Sequence, residues 1–144
     1  MCEEVIAYLD KKLIPNIEEG KTKNQTEVFY LKMKGDYYRY IAEYSTGEKK
    51  NKAADAAHEA YTKATQIAEN LTSTDPIRLG LALNFSVYYY EVKNNPQTAC
   101  ELAKEAFDNA IADIETIEEC YYKDSTTIMQ LIRDNLTLWN TEVD

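Results

Sequence analysis

The stretch TEVFYLKMKGDYYRYIAEY, residues 26–44, is followed at once by Ser45-Thr46-Gly47. It reads as one long helix closed by a turn signal. Lys32, Arg39 and Tyr40 are separated by seven and eight residues, two helical turns, so all three project from one side. Asp36 lies one turn before both Arg39 and Tyr40, where a carboxylate can hold a guanidinium in place. An arginine fork, a tyrosine hydroxyl and an ammonium together suit a phosphate dianion, because each offers a charge-assisted or short hydrogen bond. Spacing alone is also met by an ordinary charged face with a half-buried tyrosine, and that is the commoner outcome.

Outward from this segment the same helical pattern repeats. Upstream, Val5, Ile6, Leu9, Leu13 and Ile17 recur at intervals of three and four over residues 3–19, with Pro15 predicting a bend or an end near Ile14. Downstream, residues 49–70 form an Ala-rich, charged helix whose buried stripe is Ala53, Ala57, Ala60, Tyr61, Ala64 and Ile67. Thr72-Ser73-Thr74-Asp75-Pro76 is a strong helix start, with Asp75 as cap and Pro76 at the first helical position, and that helix runs to about Lys93. Asn94-Asn95-Pro96 repeats the signal and opens a helix to about Glu118. A last one begins near Asp124 or Ser125 and ends near Trp139. No strand alternation competes. The fold class is all-α: an antiparallel helical array, since short connections reverse the chain, with the concave peptide-binding face such arrays offer.

Bulk properties agree. The 144 residues suit one domain, 1–144, with a substantial core, and 44% hydrophobic residues mark a folding sequence. Only four glycines and three prolines favour long helices over a turn-rich β architecture. A net charge of −9 argues against nucleic acid and against an anionic membrane surface as partners. No run approaches a transmembrane span, and MCEEVIAYLD lacks a signal-peptide profile, so the expected compartment is cytoplasmic, with nuclear access open to a small chain. Cys2, Cys100 and Cys120 are an odd, widely spaced set, which fits reduced thiols better than a disulfide framework or a zinc site.

Catalysis has little support. The single histidine, His58, has no Cys or His partner nearby in sequence, and the carboxylates at Asp108, Asp113, Glu115, Glu118 and Glu119 read as a solvated face. There is no Gly-rich phosphate loop, nucleophile elbow or metal spacing, so no enzyme activity, cofactor or metal is expected. Two stripes carry a different chemistry. Asn84, Val87 and Glu91, with Leu83 beside them, and Ile128, Leu131, Asn135 and Leu138 each set an amide among aliphatic residues on one helix face. An asparagine can bond the N–H and the C=O of an extended peptide at once and so grip a main chain whatever its side chains. The same stripes are also compatible with ordinary core packing.

Three longer runs carry a resemblance. Phe29-Tyr30-Leu31-Lys32-Met33-Lys34-Gly35-Asp36-Tyr37-Tyr38-Arg39-Tyr40, then residues 76–91 (PIRLGLALNFSVYYYE), then Asp124-Ser125-Thr126 with Ile128 to Leu131 and Arg133 to Trp139, resemble successive signatures of the 14-3-3 family. In order and suitably separated, they cover the chain nearly end to end. The family consists of nine-helix phosphopeptide-binding dimers, and the similarity begins partway through the fourth helix. The six segments read here thus correspond to the last six, a 14-3-3-like domain truncated at its N-terminus.

The resemblance implies residue roles. Arg39 and Tyr40 bind the phosphate, with Lys32 close by. Asn84 and Asn135 hold the peptide backbone, while Leu83, Val87, Leu131 and Leu138 line an apolar wall with Ile128 nearby. Glu91 and Trp139 flank the groove. It also implies an adaptor for phosphorylated client proteins that forms homo- or heterodimers when full-length. The family's dimer helices, and a third helix that adds a further Lys and Arg to the phosphate, have no counterpart in these residues. Charge-assisted bonds contribute roughly 1.5–3 kcal/mol each, so a fragment lacking two of them is expected to bind tens-fold more weakly or worse. The alternative is a helical scaffold that binds partners without phosphate.

Overall fold

The computed structural model describes Glu4, Ile6, Ala7, residues 23–116 and residues 119–143. The helix expected over residues 3–19, with its bend at Pro15, lies outside the described residues except for those first three, each of which is helical. Five α-helices follow: α1 Lys23–Glu43, α2 Gly47–Ala68, α3 Pro76–Glu91, α4 Pro96–Ala112 and α5 Glu119–Val143, with a 3-10 turn at Ile114–Thr116 before α5. No strand occurs among the described residues.

Local chemistry sets these bounds. Asp75 caps α3 by accepting a hydrogen bond from the Ile77 N–H at 2.8 Å, with Pro76 at the first position. Asn94 takes the left-handed conformation (φ 53°) that ends α3, and the Asn95 side chain then accepts from the Thr98 N–H at 3.2 Å to start α4.

Two boundaries differ from the sequence expectation. The helix begun at Pro96 stops at Ala112 rather than near Glu118. At that point the Ser73 hydroxyl lies 3.1 Å from the Asn109 carbonyl and 2.5 Å from Oδ2 of Asp113, so a side chain from the α2–α3 loop occupies the end of the helix. The last helix starts at Glu119, before Asp124-Ser125, and extends to Val143. Ser125 is not at the helix start. It is fully buried inside α5, where its hydroxyl donates to the Thr74 carbonyl at 2.5 Å.

The chain divides into two compact units, Met1–Asn70 and Leu71–Asp144. In the first, α1 packs on α2, and the three residues 44–46 between them require the two helices to run in opposite directions. The α2 stripe is Ala53, Ala54, Ala57, Ala60, Tyr61, Ala64 and Ala68, all buried, with Ile67 half-buried. Such small residues allow a close helix approach, and at Gly35 the approach leaves no room for a side chain. A Cβ there would lie 2.8 Å from two ring carbons of Tyr61. In the second unit α3, α4 and α5 pack on one another around Leu79, Ala99, Ala103, Ala110, Met129, Ile132 and Trp139.

Candidate functional site

The first unit presents a cationic cluster built on α1. Lys32 Nζ bonds Oδ2 of Asp36 at 3.0 Å, and Arg39 Nη2 lies 3.9 Å from Oδ1 of the same carboxylate. The i, i+4 and i, i+3 spacings bring both cations onto Asp36 by helix geometry alone. The Arg39 guanidinium also sits 5.0 Å from the centre of the Tyr40 ring, a cation–π contact, and Tyr40 in turn meets Tyr37 edge-to-face at 6.0 Å. Lys32, Arg39, Tyr40 and Asp36 therefore share one place, as their spacing predicts.

Two features of the cluster bear on its chemistry. Arg39 is only 7% exposed, and its buried Nε has no hydrogen-bond partner among the described residues. Burial works against its charge, but the surrounding Tyr61, Asp36, Tyr40 and Glu43 outweigh this and hold its pKa above the ordinary value. The guanidinium is thus a fixed cation with an unused donor. The second feature is Tyr61, which α2 sends across to donate its O–H to Oδ1 of Asp36. Burial first, then the Asp36 charge, raise the Tyr61 pKa against an opposing contribution from Arg39, so the phenol stays protonated. Sequence reading assigned Tyr61 to the buried stripe and missed its part in the cluster. The available signal was a single large polar side chain in a row of alanines.

In the second unit the predicted residues fall on α3 and α5. Leu83, Val87 and Ile128 are half-buried and rest on the core cluster. Asn84 and Asn135 are half-buried, and the Asn135 amide has no hydrogen-bond partner among the described residues. Leu131 and Leu138 stand out from α5 at 47% and 57% exposure, flanking Asn135 on the same face. Glu91 is exposed at the end of α3. Trp139 is placed differently from an open groove flank. It is 3% exposed and stacked on Tyr90, with ring centres 4.8 Å apart, so its ring belongs to the core. An amide between two exposed leucines can take up an extended main chain and its apolar side chains; a cationic cluster with a phenol can take up an anion.

No helix among the described residues is long and apolar enough to cross a membrane. A family model described as 14-3-3 protein matches residues 1–140. The chain is 58% identical to 14-3-3 protein I of Plasmodium falciparum over 144 residues, covering 99% of this chain and 53% of that protein. It is 57% identical to the 14-3-3 family protein artA of Aspergillus flavus over 142 residues, 98% of this chain and 58% of that one. Against human 14-3-3 protein eta the identity is 57% over 143 residues, 99% of this chain and 57% of the relative. The chain thus spans a little over half the length of the curated relatives it matches.

Proposed function

Since the chain belongs to the 14-3-3 family, a family of adaptors rather than enzymes, we propose that it binds phosphoserine or phosphothreonine segments of client proteins. The phosphate is received by Arg39 and Tyr40, with Lys32 beside them. Asn84 and Asn135 hold the peptide main chain against Leu83, Val87, Ile128, Leu131 and Leu138. Glu91 lies at the edge of the bound segment, and Trp139 supports the α5 face from beneath. The observation that carries this reading is the buried Arg39 guanidinium, held by Asp36 and Tyr40 with its Nε unpartnered among the described residues. Lys32 and Arg39 converge on the one Asp36 carboxylate, so two cationic side chains stand together where a dianion can meet both.

The proposed working form is a cytoplasmic homo- or heterodimer that engages two phosphorylated sites and gains avidity from doing so. The experiment is a fluorescence-anisotropy titration with a phosphoserine peptide and its unphosphorylated twin. The phosphorylated form is expected to bind more tightly, and Arg39→Ala to weaken it far more than a change at the exposed Lys104→Ala. Equal affinity for the twins sinks the reading. Client binding that survives phosphatase treatment supports a phosphate-independent scaffold instead, a role for which the exposed Leu131 and Leu138 face is suited.

A further inference from the structure

A carboxylate inside an anion-binding cluster has opposing effects. Asp36 orients Lys32 and Arg39, yet it also competes with any incoming anion for the same donors. How strongly it competes depends on what else satisfies its oxygens. Oδ2 is taken by Lys32 at 3.0 Å. Oδ1 accepts from the Tyr61 phenol, while Arg39 Nη2 stays 3.9 Å away, at ion-pair range but beyond a direct hydrogen bond. Tyr61 is fully buried, and its ring is seated against Gly35, where any Cβ would collide with it. The donor is therefore fixed by packing at the same carboxylate oxygen that Arg39 Nη2 approaches.

Resting on the phosphate-binding reading above, we propose that Tyr61 is a positioning residue for anion recognition: its hydroxyl satisfies Asp36 so that Arg39 remains available to the ligand. Without the phenol, Oδ1 loses a neutral donor and draws the guanidinium into a direct pair. A bidentate arginine–carboxylate pair is among the stronger side-chain contacts, and an anion must then break it. With the phenol in place, Asp36 steers Arg39 without capturing it.

The test uses the full chain and Tyr61→Phe, which removes one oxygen and keeps the ring over Gly35. Anisotropy titrations with a phosphoserine peptide and its unphosphorylated twin are run on both proteins, and again with Asp36→Asn in each. Tyr61→Phe is expected to weaken the phosphopeptide about five- to tenfold and to leave the unphosphorylated twin unchanged. In the Asp36→Asn background it is expected to have no further effect, because the carboxylate through which it acts is gone. A merely structural role moves both peptides alike and persists in that background; either result overturns the proposal. If the wild-type chain prefers the phosphopeptide and Tyr61→Phe keeps the full preference, the role of Tyr61 fails while the function stands. If the wild-type chain binds the twins equally, the function fails and this inference with it. Should Tyr61→Phe be unfolded in buffer, the same titrations are read in trimethylamine N-oxide, which favours the compact state.

Discussion

The Tyr61 phenol on α2 donates to the Asp36 carboxylate on α1, and the ring that carries it lies against a position, Gly35, that has no side chain. One contact thus joins helix packing to the chemistry of the cationic cluster. Its parts are separable by mutation because the ring, the hydroxyl and the missing Cβ do different things.

Gly35→Ala tests the packing. In an exposed helix interior this change stabilises by about 1 kcal/mol through helix propensity. Here the new methyl lies 2.8 Å from Cδ1 and Cε1 of a fully buried ring whose hydroxyl is tied to Asp36. Overpacking of this kind costs about 1–3 kcal/mol, so the steric loss is expected to win. Chemical denaturation is expected to show net destabilisation. A midpoint equal to or above wild type contradicts the close approach of α1 and α2.

The hydroxyl is tested by pH. Burial, and then the Asp36 charge, raise the Tyr61 pKa above the ordinary tyrosine value, with Arg39 opposing. Below about pH 10 even an unfolded tyrosine is protonated, and the contribution of this group to stability is fully present. Above that the unfolded chain releases the proton while the folded state keeps it, so stability falls as pH rises, by at most about 1.4 kcal/mol per pH unit for one such group. Burial shifts Tyr89 in the same direction, which makes it a second contributor. Urea denaturation at pH 8 and pH 10.5 is expected to show a smaller alkaline loss for Tyr61→Phe than for wild type. Parallel losses contradict a native-state phenol held protonated by burial.

Ser125→Ala tests the correction at α5. The residue expected near the start of the helix instead lies within it and bonds the Thr74 carbonyl at 2.5 Å from a fully buried position. Removing it leaves that carbonyl without this donor, at a cost of about 1–3 kcal/mol. A helix cap lost from the exposed start of a helix costs a comparable amount, so magnitude alone does not separate the two. Far-UV circular dichroism does: an internal residue leaves the helix start at Glu119 in place, and the helical signal of the folded variant is expected to match wild type.

These residues also show what the sequence made legible. Helix existence followed from apolar spacing, and starts at Asp75 and Asn95 followed from caps beside prolines, because both signals are local. The C-terminal end of α4 and the start of α5 did not, because Ser73 and Ser125 spend their hydroxyls on partners 36 to 51 residues away. On the α1 face, Lys32, Asp36, Arg39 and Tyr40 were found by spacing, since one helix holds them all. Tyr61 comes from another helix, and no pattern within α1 points to it. Periodicity likewise assigns residues to faces without fixing how deep each face is sunk.

Leu138 and Trp139 are neighbours in sequence, and both were assigned to the groove by resemblance, yet their surroundings predict opposite outcomes. Leu138 is 57% exposed, so Leu138→Asp removes little buried area and is expected to shift the thermal midpoint only slightly. On the proposed reading it sets a charge on the apolar wall and weakens phosphopeptide binding at least tenfold. Trp139 is 3% exposed and stacked on Tyr90 within the α3–α4–α5 core. Truncation to alanine empties that site, at a cost of about 3–5 kcal/mol, a large share of the stability of a domain this size. Trp139→Ala is therefore expected to lower the thermal midpoint steeply, with binding lost through unfolding. Trp139→Phe, which keeps a ring against Tyr90, is expected to recover most of both. If Trp139→Phe folds like wild type but binds phosphopeptide tenfold less well, the indole contacts ligand directly and its placement in the core is wrong. If Leu138→Asp leaves affinity unchanged, the exposed α5 face is not the wall that holds the peptide.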